Sequence, residues 1–278
     1  MYKRTLKIAS IIVASSLIYA CGGDHEETTT EEGLVVTEEI ISENNNQIEY
    51  VLPSPLQIAE LFKRAGLTYI GDVTNSPENI DNYNTKYDQK LNYGIYSADM
   101  AYCIMNNQTQ ESINYLATLS KLSEKLWMTD IMGSIGLTDR LEANIGNEDS
   151  LAYIMADLQM QMDDYLDGNG MGHTGAIIFA GAWIETLYLG TKVNENKRNE
   201  KLISRLSEQA VILGSLIASI KQSDDNNEYI ELITDLENLN KTFEGFNNDS
   251  EEDFILTDEA VSSLGDQIKI LRAKIVGE

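Results

Sequence analysis

Cysteine, histidine and proline are nearly missing from this chain. Its 278 residues hold two cysteines, two histidines and three prolines. The shortage of histidine removes the common metal chemistries. A di-iron carboxylate bundle asks for Glu-x-x-His on two helices, and no Glu-x-x-His occurs. Zinc-ligand spacings are absent as well. His25 lies in an acidic stretch near the N-terminus, and His173 stands beside a glycine-rich turn. That turn, Asp167-Gly168-Asn169-Gly170-Met171-Gly172, begins like an EF-hand loop. It fails at its fifth position, Met171, and at its twelfth, Ile178, where Glu is required. It also lacks the Lys-Ser/Thr ending of a phosphate loop, and no Gly-x-Ser-x-Gly elbow appears. No metal or cofactor is expected, and no residue is assigned a catalytic role.

Basic residues are scarce too. Lys and Arg number 20 against 45 Asp and Glu, for a formal net charge of −25. Such a chain repels nucleic acid and anionic lipid headgroups, so neither is an expected partner. The imbalance is sharpest over residues 22–50, which contain nine acids and no Lys or Arg. Low complexity and unbalanced charge there argue for a flexible tether rather than a packed core.

What precedes the tether is organised differently. Lys3, Arg4 and Lys7 are followed by an uncharged, mostly apolar run from Ile8 to Ala20. This is the layout of a secretory signal peptide, with a hydrophobic segment too short to span a bilayer permanently. The run ends Leu17-Ile18-Tyr19-Ala20-Cys21. It resembles the lipobox of bacterial lipoproteins, although Tyr19 is bulkier than the usual residue at its position. The resemblance implies cleavage before Cys21 and lipid on that cysteine, with two or three acyl chains forming a stable anchor. The competing reading is an ordinary secreted protein in which Cys21 is incidental. Acids soon after Cys21 resemble the surface-export signal of Bacteroidetes lipoproteins. The expected location is therefore the outer membrane, facing either the cell surface or the periplasm, with envelope proteins as candidate partners. With Cys21 lipidated, Cys103 has no disulfide partner. Set among Ala101, Tyr102, Ile104 and Met105, it reads as a small buried hydrophobe.

From Leu52 onward, helical spacing dominates. Ser54-Pro55 and Ser76-Pro77 each offer an N-cap followed by proline at the first helical position. Helices are expected over about 55–65, 79–106, 109–128, 138–145, 148–167 and 173–192. Three more are marked by Leu202 to Ile220, Tyr229 to Phe243 and Val261 to Ile275. The 173–192 segment is apolar nearly all round, which suggests a central position. Its longest uncharged apolar stretch, Gly175 to Ile184, stops at Glu185 and is too short for a membrane span. The expected fold is all-α: an irregular bundle of about eight helices over 51–278, behind a signal peptide (1–20) and a disordered acidic tether (21–50).

Several phrases occur together between residues 50 and 192. They are Leu52-Pro53-Ser54-Pro55, then Leu91 through Tyr102 (LNYGIYSADMAY), then Asp149-Ser150-Leu151, and Gly181 through Tyr188 (GAWIETLY). Together they resemble a family of uncharacterised helical lipoproteins from Bacteroidetes. The resemblance implies a lipid-anchored helical protein and implies no activity.

Two constellations could carry chemistry. On one predicted helix Tyr96, Asp99, Tyr102 and Asn106 share a face, flanked by small residues that let a neighbour approach. On another, Glu185 follows Trp183 and precedes Tyr188 within a strongly apolar run. A carboxylate in such a place is either paired or raised in pKa. Tyrosine hydroxyls or Arg140 are candidate donors, and His173 is a further polar candidate. The set reads as polar struts of a bundle core, as a small-ligand pocket near Asp99 and Glu185, or as an acid/base pair. Fourteen tyrosines against five phenylalanines and two tryptophans fit half-wet surfaces as well as core packing.

Overall fold

The computed structural model describes residues 40–41, 48–49, 52–128, 136, 139–140, 143–144, 147–224, 226–246 and 255–278. The expected signal peptide, Cys21 and the helix near 138–145 lie wholly or largely outside them. So does the expected tether, apart from Ile40–Ile41 and Ile48–Glu49, which pair antiparallel with Ile41 opposite Ile48. The rest is all-α. Eight α-helices occur among the described residues: α1 (Pro55–Arg64), α2 (Lys86–Met105), α3 (Thr109–Lys125), α4 (Glu148–Gly168), α5 (Gly172–Asn196), α6 (Glu200–Ser223), α7 (Ile230–Phe246) and α8 (Asp258–Val276).

Local chemistry accounts for where these helices begin. Ser54 caps α1 in a full capping box with Gln57, and Pro55 occupies the first turn, where its missing N–H costs nothing. The helix expected from residue 79 is instead split. A 3-10 helix, Pro77–Asn82, precedes α2, which starts at Lys86 behind a capping box of Thr85 and Asp88. The Asn82-Tyr83-Asn84 segment favours turns over helix, and the Thr-x-x-Asp cap restarts the chain. Asn147, Asn199 and Thr257 cap α4, α6 and α8 through their side chains.

Two helices form the centre. α5 is buried on nearly every side, as its composition predicts. α2 is buried as completely, from Gln89 to Met105, despite carrying Asn, Asp and Lys. They make the most extensive helix–helix contact, and two glycines permit it. A Cβ at Gly94 would strike the carbonyl oxygen of Ile178, and one at Gly181 would strike that of Leu91. Each helix offers its glycine to the other's backbone. On one side of this crossing, α1 and α6–α8 close a core around Phe62, Trp183, Leu206, Leu216, Leu236 and Ile268. On the other, α3 and α4 pack over Tyr96, Met100, Leu119 and Leu158.

The expectation that nothing after the signal peptide resembles a membrane span needs correction. By length and composition, α5 and α6 are both apolar enough to cross one. Within the fold, 89% of the α5 window is buried by other helices, which gives its hydropathy a structural cause. The corresponding share for α6 is 50%.

Candidate functional site: a sealed carboxyl pair

The polar residues singled out on α2 and α5 do converge, but around a partner not foreseen. Asp99 and Glu185 are both fully buried and close enough for each to perturb the other's carboxyl. The cation that meets Glu185 is Arg272 of α8. Its Nε donates to Glu185 Oε2 at 2.7 Å, and its Nη2 reaches the Val73 carbonyl at 3.4 Å. Its guanidinium lies over the Tyr188 ring, 4.3 Å from the centroid, a cation–π contact away from water. Glu278 also approaches Arg272, at 3.4 Å. It is more than half exposed, so solvent screens that contact.

The oxygen inventory indicates the protonation state. Asp99 Oδ2 accepts the backbone N–H of Asn75 at 3.1 Å, and Glu185 Oε2 is taken by Arg272. Asp99 Oδ1 and Glu185 Oε1 are buried and have no donor. Two ionised carboxylates would leave both oxygens unsatisfied and one net negative charge in the core, which is costly. One shared proton resolves both problems, with one carboxyl donating to the other. Burial, and then the neighbouring Glu185 charge, push the Asp99 carboxyl well above the usual carboxylate range, while Arg272 opposes the shift. Burial also raises Glu185, with Arg272 again pulling the other way. The proton therefore belongs on Asp99, and the Asp99–Glu185–Arg272 cluster is close to neutral.

The tyrosines have a separate task. Between α1 and the 3-10 helix the chain runs through an irregular segment, 66–76, whose backbone polar groups need partners. Tyr102 Oη donates to the Thr68 carbonyl at 2.8 Å and accepts from the Ile70 N–H at 2.7 Å. Tyr115 Oη donates to the Asn75 carbonyl at 3.0 Å, and Tyr96 Oη to that of Ser76 at 2.9 Å. Together with Asp99 and Arg272, these hydroxyls fasten the segment to the core. Tyr102→Phe would leave an N–H and a carbonyl without that partner. It is expected to cost about 1–3 kcal/mol, read as a lowered midpoint in urea with an unchanged slope.

The remaining sequence candidates fall elsewhere. Arg140 is not a donor to Asp99; its Nη1 pairs with Asp157 at 2.5 Å. The two can meet because both belong to the same stretch of chain, whereas Arg272 arrives from the far end of the sequence. His173 sits at the start of α5, and burial lowers its imidazole, with Lys90 assisting. Trp183 Nε1 donates to Gln209 Oε1 at 3.1 Å, and Asn106 accepts from Lys63 at 2.8 Å. Cys103 is buried, and burial raises its thiol, as befits a packed hydrophobe rather than a nucleophile. Among the described residues no three His, Cys, Asp or Glu side chains are grouped to hold a metal ion.

Arg272 and Asn75 were the residues that sequence reasoning passed over. A signal for Arg272 existed. It continues the buried four-residue spacing Leu264, Ile268, Arg272, so a cation stands where the stripe predicts an apolar side chain.

A general acid must reach the group it protonates. Neither Asp99 nor Glu185 lines either of two cavities found among the described residues, of about 280 and 170 Å³. The arrangement as it stands stores a proton and a charge pair within packed protein. Comparison with protein-family models, curated proteins and solved structures gave no match.

Proposed function

We propose that this chain is a lipid-anchored protein of a bacterial cell envelope, whose helical domain is a non-enzymatic binding or accessory module. The observation that carries the reading is the basic start, the apolar run Ile8–Ala20 and its junction with Cys21. The acid-rich residues that follow suit a domain held away from the membrane, on the outer membrane and facing the surface. Envelope proteins are the partners such a module would meet. The non-enzymatic half is supported by the burial of Asp99 and Glu185, each of which has one oxygen held by protein, Glu185 by Arg272 and Asp99 by the Asn75 backbone. The same burial takes support away from a ligand pocket at those two residues.

Lipid labelling tests the anchor. Cells expressing the full chain and fed an alkyne fatty acid are expected to yield a labelled protein in the membrane fraction. Cys21→Ala should lose the label and leave the membrane. A wild-type chain that is unlabelled and released in soluble form would overturn the proposal.

A further inference from the structure

The irregular segment 66–76 is attached to the fold in an unusual way. Among the described residues, its backbone–backbone hydrogen bonds lie only at its ends. Gly66 and Leu67 donate back to the Lys63 and Phe62 carbonyls of α1, and the Ser76 carbonyl accepts from Asn79. Between those ends, side chains of the core hold it. Tyr102 binds Thr68 and Ile70, Tyr115 binds the Asn75 carbonyl, and Arg272 reaches that of Val73. Its tip, Gly71-Asp72, is exposed, and Asp72 has φ of 60°, a left-handed backbone that few residues other than glycine adopt. A strap with few backbone hydrogen bonds and an exposed tip belongs to the part of a fold that opens before the helices do.

This strap lies over the carboxyl pair. Its Asn75 N–H is the donor to Asp99 Oδ2, and Asn75 is itself sealed, with its side-chain amide donating to Tyr83 Oη at 2.9 Å. The ionisable groups that feel the Asp99 charge come from every side. They are Glu185 of α5, Arg272 of α8, Tyr115 of α3, Tyr96, Tyr102 and Cys103 of α2, and Tyr83 ahead of α2. Burial raises the four phenols and the thiol, so they stay neutral at ordinary pH. Only the two carboxyls are left to titrate there.

We infer that the 66–76 strap is a pH-gated cover, closed while Asp99 carries its proton and lifted when that proton leaves. Two ionised carboxylates under a closed strap would leave a net negative charge and two donorless oxygens in dry protein. Lifting the strap lets water reach them. The direction follows from linkage. Burial raises the Asp99 carboxyl only while it is covered, so the closed form holds a proton that the open form releases. From about pH 4 up to the closed-state value, each pH unit favours the open strap by up to about tenfold. Opening also bares the Tyr102 and Tyr115 hydroxyls, so the surface the domain offers changes with pH. The inference goes beyond the proposed function and does not depend on the anchor.

Hydrogen–deuterium exchange of the full-length chain tests it, read by mass spectrometry as protection relative to the intrinsic rate at successive pH values. Peptides covering 66–76 are expected to lose protection by up to about tenfold per pH unit, while peptides from α5 stay far better protected at every pH. In Asp99→Asn the proton that titrates is gone, and strap protection should become nearly independent of pH. Tyr102→Phe removes a fastening but no titrating group. It should lower strap protection by one factor at every pH and keep the slope. Strap protection equal to that of α5 throughout, a flat wild-type profile, or a slope unchanged in Asp99→Asn would overturn the gate.

Discussion

Arg272→Met is expected to destabilise the fold by about 3–5 kcal/mol, the usual cost of leaving one member of a buried ion pair alone. Methionine matches much of the volume, so the loss comes from charge. Glu185 would stay buried at 0% exposure with its strongest donor gone, next to a second carboxyl. At roughly 2–4 °C per kcal/mol for a domain of this size, the melting temperature should fall by about 10 °C. Asp99→Asn is the informative contrast. An amide oxygen can accept from Asn75 as Asp99 Oδ2 does, and an amide nitrogen can donate to Glu185 in place of the shared proton. That variant should fold at least as stably as the wild type at neutral pH. Glu185→Gln should instead behave like a weaker Arg272→Met, because it removes the carboxylate that neutralises the guanidinium.

The pair also sets a pH dependence whose sign follows from linkage. In the unfolded chain the Asp99 carboxyl titrates near its ordinary value of 3.8, and in the fold it lies well above. Between those values the folded state holds a proton that the unfolded state has released. Its contribution to stability is therefore fully present below about pH 4 and is lost as pH rises through the folded value. Glu185, also raised, acts in the same direction. Urea midpoints for wild type and Asp99→Asn, compared at successive pH values, should diverge upward in favour of the variant as pH increases. Parallel profiles would show that Asp99 carries no proton in the fold.

Gly181→Ala should come close to the Arg272 variant in severity. Its added Cβ would lie well under 3.0 Å from the Leu91 carbonyl oxygen, 2.9 Å from that carbonyl's carbon and 3.2 Å from the Leu91 Cα. Those atoms belong to α2 and cannot rotate away as a side chain would. α2 and α5 would have to separate along the most extensive contact in the fold. Overpacking typically costs about 1–3 kcal/mol and occasionally more. Rigid backbone on both sides places this case at the upper end. Gly94→Ala should behave alike, because its Cβ would meet the Ile178 carbonyl and the Ala182 nitrogen. Gly214→Ala, with open space around the added carbon, is the control. It should be neutral or slightly stabilising, since alanine favours helix over glycine. Circular dichroism melts of the three variants check the ordering.

Much of the architecture was legible because it is written in local periodicity. The stripes on α6, α7 and α8 were read correctly, since each apolar face packs a single core and repeats every three or four residues. α2 was harder. Its burial on every side comes from position between two cores, and its polar residues are satisfied by partners distant in sequence, such as Asn92 bonding to the Ile275 carbonyl at 3.1 Å. The start of α2 was misplaced because Pro77 was read as opening a long helix, while Thr85 and Asp88 supply the stronger cap. The same limit governs the site. Asp99 and Glu185 stood out as carboxylates in apolar surroundings, but their partner could not be chosen from spacing, and Arg140 was nearer in sequence than Arg272.

By itself, the sequence determined that this is a helical chain with an acidic surface and two carboxylates buried in apolar helices. Composition and short-range spacing suffice for that, because helix formation and the choice of inward face are settled within a few turns. Only the tertiary structure decided what those carboxylates do. It brought α2, α5 and α8 together, set Arg272 against Glu185, gave Asp99 a backbone donor in Asn75, and left one buried oxygen of each carboxyl without a donor. Contacts between residues tens to hundreds of positions apart depend on how helices pack, and no local pattern encodes them.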